Sequence, residues 1–314
     1  MGTGSWDSHS WDSYRTRNVR SDSATTGGRS SVYSATSMKA DYDPKNIEVR
    51  ECRDSADHPA STPLIIACDV TGSMSPVLRS VIENLGTLNS EIISRDAGDF
   101  SVCFMGVGDV DSDRAPLQVS QFESDIRQAD ALRGIWLEQR GGANQYESYI
   151  LPWYFAIEKV SADAIEKRGK KGFLFTMGDE CCPPNLTAEQ VEKVFGYRPQ
   201  EDMTKEELLT AVSRDWEVFH LIIEEGNYYS NRYHIDDKRR EKCESSWEFM
   251  GQNVLHVSDH TKLAEIIVST IQIVNGEDAD DVAASWDGST SVVVSHAVNG
   301  LVNAKAGSNG VIEF

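Results

Sequence analysis

From about residue 60, the sequence alternates short apolar runs with segments of helical spacing, and this alternation constrains the fold more than any other feature. Short, continuous apolar runs are typical of parallel strands that are buried on both faces of a sheet. Their alternation with helices predicts an α/β fold: a doubly wound, mostly parallel, Rossmann-like sheet with strand order 3-2-1-4-5-6. The six predicted strands cover residues 63–69, 100–109, 135–139, 171–179, 217–225 and 253–259.

The segments between these runs carry apolar residues at helical spacing. Pro76 suits the first turn of a helix, and the pair Asn275-Gly276 suits a helix end. The predicted helices cover residues 76–94, 123–132, 147–168 and 260–274.

Composition divides the chain into three parts. Residues 1–58 form a polar arm rich in Ser and Asp, residues 59–276 form the predicted α/β domain, and residues 277–314 form a tail that is acidic and then Val-rich. The arm alone cannot bury enough apolar surface to offset the entropy of ordering. We therefore predict that both terminal arms extend from the domain.

Two features of these arms leave alternatives open. Trp6 and Trp11 lie in the repeat SWDSHSWDSY, which either docks onto a partner or a neighbouring subunit or belongs to a disordered tail. The Val-rich run at 290–298 is either an exchanged or edge-pairing strand or part of a flexible tail. If the repeat docks onto a neighbouring subunit, or if the Val-rich run forms an exchanged strand, the chain would self-associate through its arms.

The charge balance restricts the classes of partner. With 50 acidic and 30 basic residues, the chain has a formal net charge of −20, which repels nucleic acid and anionic membranes. No apolar run is long enough for a membrane helix, and the first residues lack the apolar core of a secretory signal. We therefore predict a cytoplasmic protein that binds neither nucleic acid nor membrane. The six cysteines lack zinc-site spacing, and Cys68 and Cys103 are expected to be reduced core thiols.

The turn after the first predicted strand, DVTGSM at residues 69–74, places three oxygen donors at alternate positions. The carboxylate of Asp69 and the hydroxyls of Thr71 and Ser73 can converge on a hard cation such as Mg²⁺, which prefers oxygen ligands and keeps several waters. The turn lacks the pattern of a phosphate-binding loop and the three-glycine dinucleotide fingerprint. The structural alternative is a helix cap, with Asp69 as the N-cap and the hydroxyls bonded to free amides.

Further candidate ligands follow from the predicted fold. Asp179 ends the fourth strand, which neighbours the first strand at the point where doubly wound sheets bind ligands. The loop RGGANQYESY at 140–149 lies between them in sequence, and either Asn144 or Glu147 could supply a third oxygen. The predicted metal site comprises Asp69, Thr71, Ser73, Asn144 and Asp179, with Mg²⁺ (or Mn²⁺ or Ca²⁺) as the ion.

These residues resemble a known family. The motif DVTGS at 69–73, a Gly-rich loop after the third strand, and TMGD at 176–179 look like the metal-ion-dependent adhesion site of von Willebrand factor A domains. The resemblance covers roughly residues 60–275. The stretches LPWYFAIEK, KRGKKGFLFTMGDE and VSDHTKLAEIIVSTI look like an uncharacterised bacterial and phage-associated branch. In that family the two hydroxyls bind the ion directly, and the two aspartates bind it directly or through water.

The resemblance implies binding without catalysis, in which an Asp or Glu of a protein partner completes the coordination of the ion. One departure is the middle loop, where the family usually has a threonine ligand and this chain has none, with Asn144 as the nearest equivalent. We therefore predict a divalent-cation-dependent protein-binding module that is not an enzyme. The alternatives are an assembly protein that oligomerises through its terminal arms and a metal-dependent hydrolase.

Two other polar segments lie near the ends of predicted strands. The acidic run DVDSD at 109–113 lacks the Gly and Glu that a calcium-binding EF-hand loop requires, so a solvated acidic loop at the rim of the site is expected. The Tyr-rich segment 226–242 either contacts a partner or is a solvated insertion.

Overall fold

The computed structural model of this 314-residue chain describes residues 4–19, 32–138, 145–225 and 237–301. Within these ranges, a mixed α/β domain is built around one six-stranded sheet. Asn144 and residues 226–236 lie outside the described ranges, and so do the predictions made for them.

The central sheet is mostly parallel. The strands are β1 (Arg50–Cys52), β2 (Thr62–Asp69), β3 (Phe100–Val107), β4 (Leu117–Val119), β5 (Val160–Ala162), β6 (Gly172–Gly178), β7 (Asn185–Leu186), β8 (Met203–Thr204), β9 (Trp216–Ile223) and β10 (Val254–Val257). The sheet has the order β10-β9-β6-β2-β3-β4, and each neighbouring pair is parallel except β3 with β4. Two small two-stranded sheets join β1 with β5 and β7 with β8.

The prediction of an α/β fold with a mostly parallel six-stranded sheet is confirmed, but the third strand is not the predicted one. The sheet ends at the antiparallel strand β4, whereas residues 135–138 form no strand. The side-chain amide of Gln118 donates to the Trp136 carbonyl and accepts the Trp136 N–H, both at 2.9 Å. A side chain thus satisfies the backbone of Trp136 where a neighbouring strand would otherwise do so. Numbered along the chain, the observed strands lie in the order 3-2-1-4-5-6, with β4 as the third.

Helices cover both faces of this sheet. Those in the described residues are α1 (Ser8–Asn18), α2 (Ser75–Glu83), α3 (Leu85–Ser94), α4 (Arg127–Arg133), α5 (Leu151–Lys159), α6 (Asp163–Arg168), α7 (Ala188–Phe195), α8 (Lys205–Val212), α9 (Asp237–Trp247), α10 (Leu263–Asn275), α11 (Ala279–Ala284) and α12 (Gly288–Val298). None of these described helices combines the length and apolarity that crossing a bilayer requires.

Two of the predicted helices are each divided. Residues 76–94 contain α2 and α3, which meet at Asn84, and the Asn84 side chain donates to the Thr261 carbonyl at 3.1 Å. Residues 147–168 contain α5 and α6, which are separated by β5 because this short strand pairs with β1. The predicted helix end at Gly276 is confirmed, since Gly276 adopts the left-handed conformation with φ of 115°.

Each face of the sheet has its own apolar core. Successive side chains of a strand point to opposite faces. Ile66 and Cys68 of β2 therefore belong to the core beneath α2, α3 and α10, whereas Ile65 and Ala67 belong to the core beneath α5, α7 and α8. We call the second side the α5 face. Asp69 has the same parity as Ile65 and Ala67, so its side chain lies on the α5 face.

The N-terminal segment is helical and packs on the domain, so the prediction of an extended arm is wrong for its described part. Asp7 accepts N–H groups of the first turn of α1. Trp6, just before this cap, packs 5.7 Å from Trp11 between ring centroids, which is a hydrophobic staple. Trp11 is 6% exposed and lies against Gly86 of α3, where an added Cβ would meet the indole nitrogen at 2.2 Å. The tryptophan docks within its own chain.

The C-terminal segment is also helical, so residues 290–298 form neither the exchanged or edge-pairing strand nor the flexible tail that were the two alternatives. Val294 and Val298 are four residues apart on one side of α12, and both are buried against the core beneath α10. Trp286 precedes α12, and its indole N–H donates to the Ser269 hydroxyl at 2.8 Å. The related sequences SWDS at 5–8 and SWDG at 285–288 thus each stand at the start of a helix, where a tryptophan packs against the chain that follows.

Candidate functional site

The predicted ligands gather at the carboxyl ends of β2 and β6, two neighbouring parallel strands. Asp69 is the last residue of β2, and Asp179 directly follows β6. Both residues are fully buried. Thr71 and Ser73 follow on the turn that leads into α2. The sheet therefore brings together two carboxyl groups that are far apart in sequence.

A continuous chain of oxygen–oxygen contacts connects these four side chains. The Thr71 hydroxyl donates to Asp69 Oδ1 at 2.6 Å, and Thr71 Oγ1 lies 3.5 Å from Ser73 Oγ. The Ser73 hydroxyl donates to Asp179 Oδ1 at 3.3 Å. Two carboxyl groups and two hydroxyls thus converge, and oxygen donors of this kind are what a hard divalent cation prefers.

The helix-cap alternative accounts for only part of this turn. Asp69 Oδ1 does accept the Thr71 N–H at 2.7 Å, as a capping side chain would. Thr71 is the N-cap of the short 3₁₀ turn at 72–74, but its hydroxyl makes no capping hydrogen bond. Met74, at the N-cap of α2, makes none either. The hydroxyls of Thr71 and Ser73 face carboxyl groups rather than free backbone amides.

A buried tyrosine holds the second oxygen of Asp69. The Tyr149 hydroxyl donates to Asp69 Oδ2 at 3.0 Å and accepts the Glu180 N–H at 3.4 Å. Gly178 makes room for it, because a Cβ at this position would lie 1.9 Å from the Tyr149 hydroxyl oxygen. Sequence reasoning misses Tyr149. Two sequence features could have pointed to Tyr149: it lies in the same loop as Glu147, and Gly178 stands just before Asp179.

Glu147 is the member of the Asn144-or-Glu147 alternative that the structure describes. It is buried, and its Oε2 atom has no hydrogen-bond partner among the described residues. Burial raises the pKa of the Glu147 carboxyl far above its usual range, and the neighbouring charges of Asp69, Asp113 and Asp109 raise it further. A buried polar atom without a partner is costly, and a cation or a water bound to one would satisfy it.

The acidic segment 109–113 lies beside the site, and the prediction that it is a solvated loop is wrong for two of its aspartates. Asp109 and Asp113 are buried, whereas Asp111 is exposed. Asp113 Oδ2 accepts the Asp109 N–H at 2.8 Å, and Asp109 Oδ1 accepts the Asp111 N–H at 3.0 Å. The two buried carboxyl groups fold over their own turn and add negative charge near Glu147.

The charges around Asp69 are unbalanced. Burial raises the pKa of its carboxyl to about 7, and the charge of Asp179 contributes to the increase. Hydrogen bonds from Thr71 and Tyr149 oppose this shift only in part. The main neighbouring charges that act on Asp69 and Glu147 are all negative. The residues present therefore fit a divalent cation, which would supply the missing positive charge.

Aromatic rings support Tyr149 from the interior. Its ring centroid lies 5.0 Å from that of His220 and 5.5 Å from that of Trp247. His220 stacks on Trp247 at 3.5 Å, and burial lowers the pKa of His220 well below its usual range. The Trp247 indole N–H donates to the Glu180 carbonyl at 3.2 Å. The position of the Tyr149 hydroxyl is thereby fixed from two sides.

His256 and His260, the two histidines that could be drawn as bases for Ser73, both hydrogen-bond to glutamates. His256 hydrogen-bonds to Glu224, and His260 hydrogen-bonds to Glu225. The Ser73 hydroxyl instead donates to a carboxyl group. The arrangement favours cation binding over nucleophilic chemistry at this serine.

A second group of potential metal ligands lies at the ends of β9 and β10. Ligand atoms of Glu225, Asp259 and His260 are within 4.8 Å of one another, but none of these residues is buried. Asp259 Oδ1 already accepts the N–H and the hydroxyl of Thr261, at 2.9 and 2.6 Å. These side chains cap a helix start, and we assign no ion to them.

All six cysteines are unpaired and buried. The expectation of buried thiols is confirmed for Cys68 and Cys103, whose pKa values burial raises to about 12. Cys181 and Cys182 lie in the core as well, just after Asp179.

No protein-family model matches the chain, and no curated protein matches it. Similar solved structures include the pilus adhesin SpaC from Lactobacillus rhamnosus GG. Its open conformation is 11% identical with a TM-score of 0.46, covering 71% of this chain and 31% of SpaC. A second SpaC form is 9% identical with a TM-score of 0.44, covering 71% and 32%. The pilus adhesin RrgA from Streptococcus pneumoniae is 9% identical with a TM-score of 0.34, covering 68% and 44%. The chain spans about a third of the length of SpaC, and similarities this low assign neither a family nor a function.

Proposed function

We propose that this chain is a protein-binding module that depends on a divalent cation, most simply Mg²⁺. The ion would lie at the carboxyl ends of β2 and β6, held by Asp69, Thr71, Ser73 and Asp179 directly or through water. Glu147, or Asn144 outside the described residues, would supply the remaining protein oxygen. The observation that carries this proposal is the buried carboxyl cluster around Asp69, in which the main neighbouring charges are all negative.

A bound cation would also give the site its means of recognition. Mg²⁺ takes six oxygen ligands and commonly keeps several waters, so a partner's Asp or Glu can replace one of them. Because the chain carries a net charge of −20, an acidic partner is repelled at long range and is attracted only by the local cation. Removal of the ion should therefore release the partner. The resemblance of residues 69–73 and 176–179 to the adhesion site of von Willebrand factor A domains supports the same function.

Calorimetric titration with MgCl₂ and MnCl₂ tests the cation site. We expect the wild-type chain to bind one ion and Asp69→Ala to lose binding by at least about a hundredfold, because the variant removes a carboxylate at the centre of the oxygen cluster. Ser73→Ala is a milder second variant, since it deletes one hydroxyl without changing charge. Asp280→Ala, an exposed acidic position on α11, is the charge-matched control and should bind as the wild type does.

Unchanged affinity in both Asp69→Ala and Ser73→Ala, with folding verified by circular dichroism, would contradict the proposed site. Hydrolysis of a substrate that requires both the ion and Ser73 would instead favour the alternative of a metal-dependent hydrolase. That the chain is not an enzyme stays a prediction.

A further inference from the structure

The start of α9 carries a concentration of positive charge, residues 238–242, which we call the α9 basic turn. Four of these five residues, Lys238, Arg239, Arg240 and Lys242, are cations, and all four are exposed. They stand in a chain with 50 acidic and 30 basic residues. Cations near a helix N-terminus also meet the positive end of the helix dipole, which is unfavourable. The stability of α9 therefore does not explain them.

Helix α9 is docked on the two loops that carry candidate ligands of the cation site. The Lys242 ammonium donates to the Gln145 side chain at 3.0 Å, two residues before Glu147. Further along the helix, the Trp247 indole N–H donates at 3.2 Å to the carbonyl of Glu180, in the loop that follows β6. The α9 basic turn therefore borders the proposed cation site.

Positive and negative charges lie on different sides of α9. Cys243 and Trp247 are buried, and the Ser246 hydroxyl accepts a backbone N–H of the loop after β6, so these three residues define the docked side. At about 100° per residue, Arg239 and Arg240 lie within about 70° of the centre of that side. The acidic residues of α9 lie more than about 100° from it: Asp237, Glu241 and Glu244. The two arginines are thus on the side of α9 that borders the site, one turn before its docked part.

These arginines are largely without carboxylate partners. Among the described residues Arg239 makes no ion pair, and Arg240 lies 3.7 Å from Asp237, whose side chain is 89% exposed. A run of similar composition, KRGKK at 167–171, differs in this respect, because three of its four cations pair with carboxylates. That run serves the fold, whereas the α9 basic turn leaves positive charge available to a partner.

We infer that Arg239 and Arg240 bind a run of Asp or Glu residues in the same partner segment whose carboxylate binds the cation. The planar guanidinium group of arginine matches a carboxylate with two parallel hydrogen bonds. Local positive charge at this border also attracts an acidic segment that the net charge of −20 otherwise repels. The charge of α9 selects acidic residues by itself, and only their link to the ion rests on the proposed function.

Fluorescently labelled peptides DSGSEEEE and DSGSQQQQ, with the reversed sequences EEEESGSD and QQQQSGSD, test the inference in MgCl₂. The Asp supplies a carboxylate for the ion, and the spacer lets the first glutamate lie up to about 13 Å away. At about 50 mM NaCl we expect at least one glutamate peptide to bind about fivefold more tightly than its glutamine counterpart, as two exposed ion pairs allow. The preference should fall below about twofold at about 500 mM NaCl, because salt screens exposed charges.

The double variant Arg239→Gln/Arg240→Gln should lose this preference at low salt. The charge-matched control Lys170→Gln/Lys171→Gln removes two positive charges directly before β6, at the opposite edge of the sheet, and should keep it. Equal binding of the glutamate and glutamine peptides to the wild type, or a preference that persists in Arg239→Gln/Arg240→Gln, would overturn the inference. An oligothymidylate that binds more tightly than the glutamate peptides and needs the same arginines would also overturn it, since the α9 basic turn would then recognise phosphate.

The variant Asp69→Ala separates this inference from the proposed function. It should lose the response to MgCl₂ and still prefer the glutamate peptides at low salt. Binding to the wild type that ignores MgCl₂, with a preference that depends on Arg239 and Arg240, would remove the proposed function and leave the α9 basic turn. Metal-dependent binding without any preference for glutamates would remove the role of the α9 basic turn alone.

Discussion

Replacing Trp11 with alanine is expected to lower the free energy of unfolding by about 3–5 kcal/mol, the range found when a buried tryptophan is truncated. Trp11 is almost fully buried in the core beneath α3, and it fills the space left by Gly86. The variant would leave a cavity that the backbone of α3 cannot close. Urea unfolding followed by circular dichroism measures the change, since this signal does not depend on tryptophan fluorescence.

Trp6→Ala is the matched control, because Trp6 is only partly buried and packs on the surface of the same ring. Its expected effect is smaller, about 1 kcal/mol for the loss of one aromatic pair. A change below about 0.5 kcal/mol in Trp11→Ala would show that the N-terminal helix is not docked in solution. The segment would then be free to bind another subunit.

Magnesium is expected to stabilise the wild-type chain more at pH 8 than at pH 5.5. Burial beside Asp179 raises the pKa of Asp69 to about 7, and burial raises that of Glu147 further. A carboxyl whose pKa is higher in the folded state than in the unfolded state contributes stability at low pH and loses it as pH rises through the folded value. Without metal, stability should therefore fall between about pH 5 and pH 8. A cation relieves the repulsion of the ionised form, so its stabilising effect grows with pH.

Thermal unfolding with and without MgCl₂ at several pH values measures this coupling. At an ion concentration about a hundredfold above the dissociation constant, the gain should reach about 2–3 kcal/mol at the higher pH. Asp69→Asn should remove the response to magnesium and the part of the pH slope that Asp69 contributes, whereas Asp280→Asn, an exposed aspartate, should change neither. A magnesium effect that is equal at both pH values would contradict a cation bound among these carboxyl groups.

The parts of the fold that could be predicted from sequence are those with a strong local pattern. The apolar run that ends at Asp69 and the run before Asp179 are buried strands, and their ends meet at one edge because the strands are neighbours in a parallel sheet. This placement follows from fold class alone, without knowledge of any side-chain contact. For that reason the sequence alone predicts four of the candidate ligands: Asp69, Thr71, Ser73 and Asp179.

The errors concern segments whose structure depends on distant contacts. The residues of β4 form a strand only because β3 pairs with them. The side chain of Gln118 in β4 then hydrogen-bonds to the backbone of Trp136. Trp11 and Tyr14 are placed in a polar sequence, yet both rings are buried when α1 docks, and a glycine of α3 leaves room for Trp11. In the same way, the β-branched residues of α12 favour a strand locally, and burial of one helical side overrides that preference. The local sequence therefore does not predict contacts that depend on residues far away in the chain.

Tyr149 was missed for a related reason, and its contact with Gly178 has a consequence for finding relatives of this protein. A side chain larger than glycine at 178 would occupy the volume of the Tyr149 hydroxyl, so the two positions cannot vary independently. Sequences that share this architecture should therefore covary at the pair, with a smaller residue at 149 wherever 178 is not glycine. This paired constraint of one glycine and one tyrosine can be sought in a sequence whatever its overall identity to this chain. It offers a criterion for recognising the same buried aspartate in distant sequences.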